Sequence, residues 1–344
     1  MRESVKHTCI AALISISTAF AGCSQSLPEW TFSGPTMGTT YTVKVVDAPA
    51  GLAPHAIQQT VDGVLDEIDA SMSEYRVDSE ISRFNASRST DWFTVSSDLL
   101  HVVQSAQQVA FASHGAFDIT VGPLVDAWGF GPEHTQGVPT AEQLQAIAEN
   151  VGYRKLEVRD DPAAIRKQVA ELEIDVNGVA PGYAVDLLAK RFDQLGLKNF
   201  VIDIGGEVLA RGHNAQSNPW RIAVERPTDE RSAPFGFVAL RDASVTTSGE
   251  YRHYYYKNGK RYSHTIDPRT RSPVEHDLAA VVVAGATTTQ IDAWATALNV
   301  LGADAGMRLA SERHIAAMFI RDREGTLTSE MTQEFRPYLA RGEQ

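Results

Sequence analysis

Cysteine is nearly absent: two of 344 residues, Cys9 and Cys23, both close to the N-terminus. Basic residues are also short, with 31 Lys and Arg against 43 Asp and Glu, a formal charge of −12, and no Lys/Arg-rich block. The electrostatic footprint of a nucleic-acid or anionic-lipid binder is therefore missing. Any phosphate-rich ligand would need a metal ion or backbone amides to offset its charge. The longest N-terminal apolar run is too short to span a bilayer as a helix, and no periodic repeat is present. No strand is followed by three spaced glycines, so a dinucleotide-binding Rossmann unit is excluded. With 43% hydrophobic residues and no long polar tract, the chain can bury a substantial core as one large domain or two small ones.

What is present begins with a targeting segment. Arg2 and Lys6 precede an apolar run from Cys9 to Phe20, which closes with Phe20-Ala21-Gly22-Cys23. Residues 1–22 read as a signal peptide, and the small residues before Cys23 are similar to the lipobox of bacterial lipoproteins. Cys23 then becomes the lipidated first residue; the alternative is a plain secreted protein with Cys23 near its cleavage site. If Cys9 leaves with the signal and Cys23 carries lipid, no thiol remains, and disulfides and thiolate catalysis are excluded. Residues 23–35 read as a tether and 36–340 as the folded domain.

Within that domain, Thr40–Val46 alternates as a strand, and Val61, Leu65, Ile68 and Met72 recur at helical spacing over Ala56–Met72. A second helix is capped by Ser96 or Ser97 and stops at Gly115. A third opens with the capping box of Thr140 and Gln143 and ends near Gly152. Pro181–Leu195 reads as a helix closed by Gly196, followed by strands at Phe200–Ile204 and Glu207–Ala210 around a Gly205-Gly206 turn. Further strands are expected at Trp220–Val224, Phe237–Leu240, Ala279–Ala284 and Ile315–Ile320, with a helix from Thr289 to Leu301 ending at Gly302. Strands joined by short turns outnumber helices, which predicts an α+β fold of largely antiparallel sheets packed with helices.

Asp292 and Thr296 stand four apart and project from one helical face. Their hard oxygens, with a backbone carbonyl and waters, suit Mg²⁺; the alternative is an acid at a helix N-terminus and a Thr bonded to its own turn. His264 is expected at a strand end facing loops, either as a proton acceptor or as a structural residue. Asp175-Val176-Asn177-Gly178 leads into a helix start, where glycine permits close backbone approach and free amides can receive phosphate. Gly115 to Leu124 sets Phe117 and Asp118 beside a glycine-rich loop that either lines a flat ligand or covers a core.

Taken in order, Met37-Gly38-Thr39, Ser79 to Asn85, Phe117-Asp118-Ile119-Thr120, Asp175 to Asp186, Ile204-Gly205-Gly206-Glu207, Thr247 to Tyr251, His264 to Pro268 and Asp292 to Leu298 resemble the ApbE family of FAD:protein FMN transferases. The resemblance implies a Mg²⁺-dependent enzyme that binds FAD in a cleft between two subdomains. It would transfer FMN to a Thr or Ser hydroxyl of an acceptor protein and release AMP. It further implies Asp292, Thr296 and the Gly178 carbonyl as magnesium ligands and His264 as the base. Met37, Tyr75, Ala116, Phe117, Asp118, Asp175, Pro181 and Ile266 are implied as FAD contacts. Pro181 departs from the family, which often has Lys there, and Arg271 replaces a usual glycine; altered FAD affinity is the expectation. Implied partners are flavin-carrying subunits of respiratory redox complexes, at the periplasmic side of a bacterial inner membrane. A FAD pyrophosphatase and a non-catalytic flavin-binding lipoprotein are the competing readings.

Overall fold

The structure is a computed structural model that describes residues 26–131, 138–228, 233–249, 254–257 and 259–342. The signal segment, Cys23, Glu250, Tyr251 and Asn258 lie outside the described residues. Eight strands follow one another across a single sheet in chain order: Glu29–Thr36, Thr39–Val46, Asn199–Ile204, Glu207–Arg211, Ala243–Gly249, Leu278–Gly285, Ala316–Arg323 and Thr326–Met331. Every neighbouring pair is antiparallel, so the expected α+β architecture with antiparallel sheet is what forms.

The pleat sends alternate residues into two separate cores. On one face Val43, Ile202, Val281, Val283 and Phe319 meet the helices Pro54–Met72, Ser97–Ala112, Ala180–Gln194 and Thr288–Glu312. On the other, Val201, Val208, Val282, Met318 and Ile320 meet the hairpin Trp220–Val224/Gly236–Leu240 and the short helix Gln333–Tyr338. Because both faces are covered, Leu278–Gly285 reads as an unbroken apolar run instead of an alternating one.

Local signals are met at most helix ends. Ser96 accepts from the Leu99 amide, and Thr140 and Gln143 form their reciprocal capping box, although that helix already ends at Ala148. The strand Glu29–Thr36 lies in the segment expected as tether. Only Trp30 and Phe32 of it pack on the core, and Pro35 is tolerated because the strand is at the sheet edge. At Gly302 (φ 72°, ψ 174°) the last long helix breaks where its end is expected, but it then resumes to Glu312. His276 fills the break: its Nε2 lies 2.8 Å from the Asn299 carbonyl, replacing the partner that the kink removes.

The contact that positions the site is the crossing of Ala180–Gln194 with Thr288–Glu312. A Cβ on Gly182 would lie 2.6 Å from the Thr288 carbonyl and 2.9 Å from Asp292 Cβ, so only glycine permits this approach. Thr287 has no side-chain cap, and Asp186 supplies one across the crossing, accepting from the amides of Thr288 and Thr289 at 2.9 and 2.8 Å and from the Thr289 hydroxyl at 2.6 Å. Gly182→Ala is expected to destabilise the chain by about 2 kcal/mol through overpacking. A urea-unfolding midpoint equal to that of the parent would show that the crossing is looser than described.

Candidate active site

Antiparallel alternation brings the Gly205-Gly206 turn and the end of Ala243–Gly249 to the same end of the sheet. There a cavity of about 300 Å³ is lined by Ala116, Phe117, Asp118, Asp175, Gly178, His264, Ile266, Asp292 and Thr296, at the lower end of the size range of ligand pockets. The sheet end, the Thr288–Glu312 helix, the Ala116–Val125 segment and the His264–Pro268 loop all contribute to its lining. Met37, Tyr75 and Pro181 are not among its lining residues. Met37 sits at φ 46° in the turn between the first two strands, 39% exposed; Tyr75 is 79% exposed; Pro181 occupies the first turn of Ala180–Gln194.

Asp292 is buried, and its Oδ2 accepts from the Gly182 amide at 3.0 Å. Burial pushes its pKa well above the usual carboxylate value, and the charges of Glu207 and Asp186 add to this. Glu207, which also lines the cavity, is lifted to about 7 by burial, while a 3.3 Å hydrogen bond from the Thr246 hydroxyl opposes the rise. Neither carboxyl forms an ion pair among the described residues. The arrangement is one that a cation would complete. Gly178 runs beside Thr296, since a Cβ there would lie 3.3 Å from Thr296 Oγ1 and 3.1 Å from the Phe117 ring. A carboxylate, a hydroxyl and a nearby carbonyl are hard oxygen donors that fit Mg²⁺ retaining several waters. Among the described residues no cluster of three His, Cys, Asp or Glu side chains is gathered for a metal, so an all-side-chain cage is not what this site offers.

The loop walls are held by carboxylates. Buried Asp118 accepts from the Thr120 amide and hydroxyl with one oxygen, at 2.8 and 2.7 Å, and from the Tyr153 amide with the other, at 2.8 Å. These bonds fix Ala116 and Phe117 against the cavity. Asp175 accepts from the Asn177 amide at 2.8 Å, and Asn177 donates to Glu74 at 3.2 Å. Burial raises Glu74 to about 9, with Asp175 and Asp126 adding to the rise and the Asn177 hydrogen bond opposing it.

His264 directly follows the strand Lys260–Ser263 and faces Phe130 edge-on at 6.4 Å. Its loop is tied down by Asp267, which accepts from the Arg269 amide and guanidinium at 2.7 to 2.9 Å. Arg271 has φ 62°. The left-handed strain, on the order of 1 kcal/mol, is offset where its carbonyl accepts from Trp128 Nε1 at 2.9 Å and its guanidinium bonds Gln145 at 2.6 Å.

Glu207 and Ser248 fall within motifs that carry the family resemblance but receive no role from the sequence, and Asn299 lies just beyond the last of them. Glu207 is a charged residue directly before the apolar run Val208–Ala210, and Asn299 extends the Asp292–Thr296 stripe to i+7.

Fold and cleft together define an α+β protein with an acid-and-hydroxyl site at one end of an antiparallel meander. The ApbE family matches residues 37–319. An FAD:protein FMN transferase of Vibrio cholerae is 36% identical over 96% of this chain and 99% of its own length, and that of Salmonella typhimurium is 36% identical over 96% and 97%. The solved flavin transferase ApbE from Vibrio cholerae has a TM-score of 0.84 at 36% identity, covering 91% of this chain and 100% of that structure. The Pseudomonas stutzeri flavinyl transferase ApbE in its apo form gives 0.84 at 38% identity, with 92% and 98% covered. The chain belongs to the ApbE family.

The raised carboxyls fix a pH dependence. The folded chain holds a proton on Glu207 that the unfolded chain gives up, so this group's contribution is full below its ordinary value of 4.5 and is lost as pH rises through about 7. Asp292 acts in the same direction. Without added cation, the melting temperature should therefore fall between about pH 5 and about pH 8 from this source, and Glu207→Gln should flatten that fall. An unchanged slope in the variant would remove Glu207 as its origin.

Proposed function

We propose that this chain is an FAD:protein FMN transferase that moves FMN from FAD to a Thr or Ser hydroxyl of an acceptor protein and releases AMP. The observation that carries this reading is the convergence of Asp292, Thr296, Gly178 and His264 on one cavity walled by Phe117 and Ile266. Phe117 and Ile266 offer apolar surface to a flat ring, and the oxygen donors line the same space. His264 takes the proton from the acceptor hydroxyl. That oxygen forms a bond to the FMN phosphorus as the bond from this phosphorus to the bridging oxygen breaks, and AMP departs with the bridging oxygen. Asp292, Thr296 and the Gly178 carbonyl would hold Mg²⁺, which when bound offsets charge on the diphosphate and on the leaving AMP. Among the described residues no Lys or Arg lines the cavity, which supports a cation in that role.

The enzyme would act outside the cytoplasm, tethered through lipidated Cys23 to the periplasmic face of the inner membrane. Its acceptors there would be flavin-carrying subunits of respiratory redox complexes. The support for the anchor is the Phe20-Ala21-Gly22-Cys23 sequence after an apolar run. Cys23→Ser should move the protein from the membrane fraction to the soluble periplasmic fraction; retention on membranes would refute the anchor.

The activity is tested by incubating the chain from Ser24 onward with FAD, Mg²⁺ and a candidate acceptor domain, then reading acceptor mass and in-gel flavin fluorescence. A mass gain of one FMN is expected, abolished by EDTA and slowed about 10²- to 10⁴-fold in His264→Ala, the range for losing a general base. Free FMN and AMP without acceptor modification would indicate a pyrophosphatase, and bound but intact FAD with every acceptor tried would indicate a carrier.

A further inference from the structure

Beneath the cleft lies a polar cluster to which the reaction outlined above gives no role. Asn299 is fully buried on the Thr288–Glu312 helix, and its Nδ2 lies 3.3 Å from Ser248 Oγ and 3.5 Å from Thr265 Oγ1. Both hydroxyl residues line the cavity, and among the described residues Asn299 is the only side-chain partner of either hydroxyl. The Asn299 Oδ1 is buried without a partner. An amide turned the other way would instead bury two N–H donors without acceptors, which costs more than one under-used carbonyl.

The direction of these bonds has a chemical consequence. An NH₂ group only donates, so each hydroxyl accepts from Asn299 and keeps its own proton for another acceptor. Thr265 is itself 9% exposed, and the open space beside it is the cavity. Two hydroxyl donors are thereby presented to whatever fills the cleft. Asp292, Thr296 and Asn299 follow one another at i, i+4 and i+7, which places this pair along the same helix face as the proposed cation ligands. Among the described residues the cleft is lined by no Lys or Arg, and neutral donors next to a cation suit an oxyanion there. His276 holds the Asn299 backbone through its carbonyl, so the residue is fixed through both backbone and side chain.

We infer that Ser248 and Thr265 form a donor pair, aligned from below by Asn299, that binds the diphosphate oxygens of FAD. This inference rests on the FAD reading of the cleft. Ser248 and Thr265 are binding residues in this scheme, and Asn299 is a positioning residue that sets the direction of their protons.

The test is a flavin-fluorescence titration of the chain from Ser24 onward with FAD in the presence of Mg²⁺, with the ligand-free melting curve recorded for every variant. The double variant Ser248→Ala/Thr265→Val should weaken FAD binding by about tenfold or more, the range for losing hydrogen bonds to a charged group. The hydroxyl-retaining variants Ser248→Thr and Thr265→Ser should keep the parent affinity, which a merely structural role for these side chains would not predict. Asn299→Asp, nearly identical in shape, should weaken binding because a carboxylate accepts the hydroxyl protons and draws them from the cleft. Unchanged FAD affinity in the double variant with a parent-like melting curve would overturn the donor pair while leaving the transferase reading intact. A parent chain that binds no FAD would overturn both.

Discussion

A carboxylate is buried where two helices cross without the space for a single methyl group, and much of the site follows from that constraint. Gly182 allows the approach, and its amide then becomes the donor that holds Asp292 Oδ2. Asp186, one turn further along the same helix, caps the start of the partner helix with three hydrogen bonds. The register between the helices is thus fixed by backbone amides, which cannot swing away as side chains can. The positions of Thr296 and Asn299 follow from it through helical periodicity alone. The same crossing isolates Asp292 from water, and Glu207 from the adjacent strand brings a second acid toward the same space. A cleft built this way is poor at holding its own charge and well suited to sharing it with a cation.

Much of this was legible in the sequence, for identifiable reasons. The α+β antiparallel architecture was readable because turns such as Gly205-Gly206 punctuate short apolar runs, and the helix starts because Ser96 and Thr140 are strong caps. The edge strand Glu29–Thr36 was not, since an edge strand with one solvated face and a proline carries little apolar periodicity. The resumption of the last helix beyond Gly302 depends on His276, which lies 23 residues from Asn299 in the chain and satisfies the broken carbonyl from outside the helix. No local signal carries that information.

In the site, motif residues on strand ends and helix faces converge because regular elements fix where their side chains go. The residues supplied by exposed turns, Met37 and Tyr75, stand apart from the cavity lining. Asp118 shows the limit of reading a role from residue type. Its two oxygens are both occupied by amides and a hydroxyl of its own neighbourhood, so its contribution to the cavity runs through the loop it holds. Residue type announces a carboxylate; only the folded chain shows whether its lone pairs are already used.

Pro181 and Arg271 have different physical weight. Pro181 lies in the first turn of its helix, where a missing amide hydrogen costs nothing and the fixed φ suits the start, so the backbone loses no interaction. Arg271 instead occupies a conformation that favours glycine and draws on Trp128 and Gln145 to stay there. Its carbonyl steadies Trp128, which stacks on Tyr262 in the strand leading into His264. A substitution that looks like surface variation is thereby joined, through one hydrogen bond and one ring contact, to the segment that carries the proposed base.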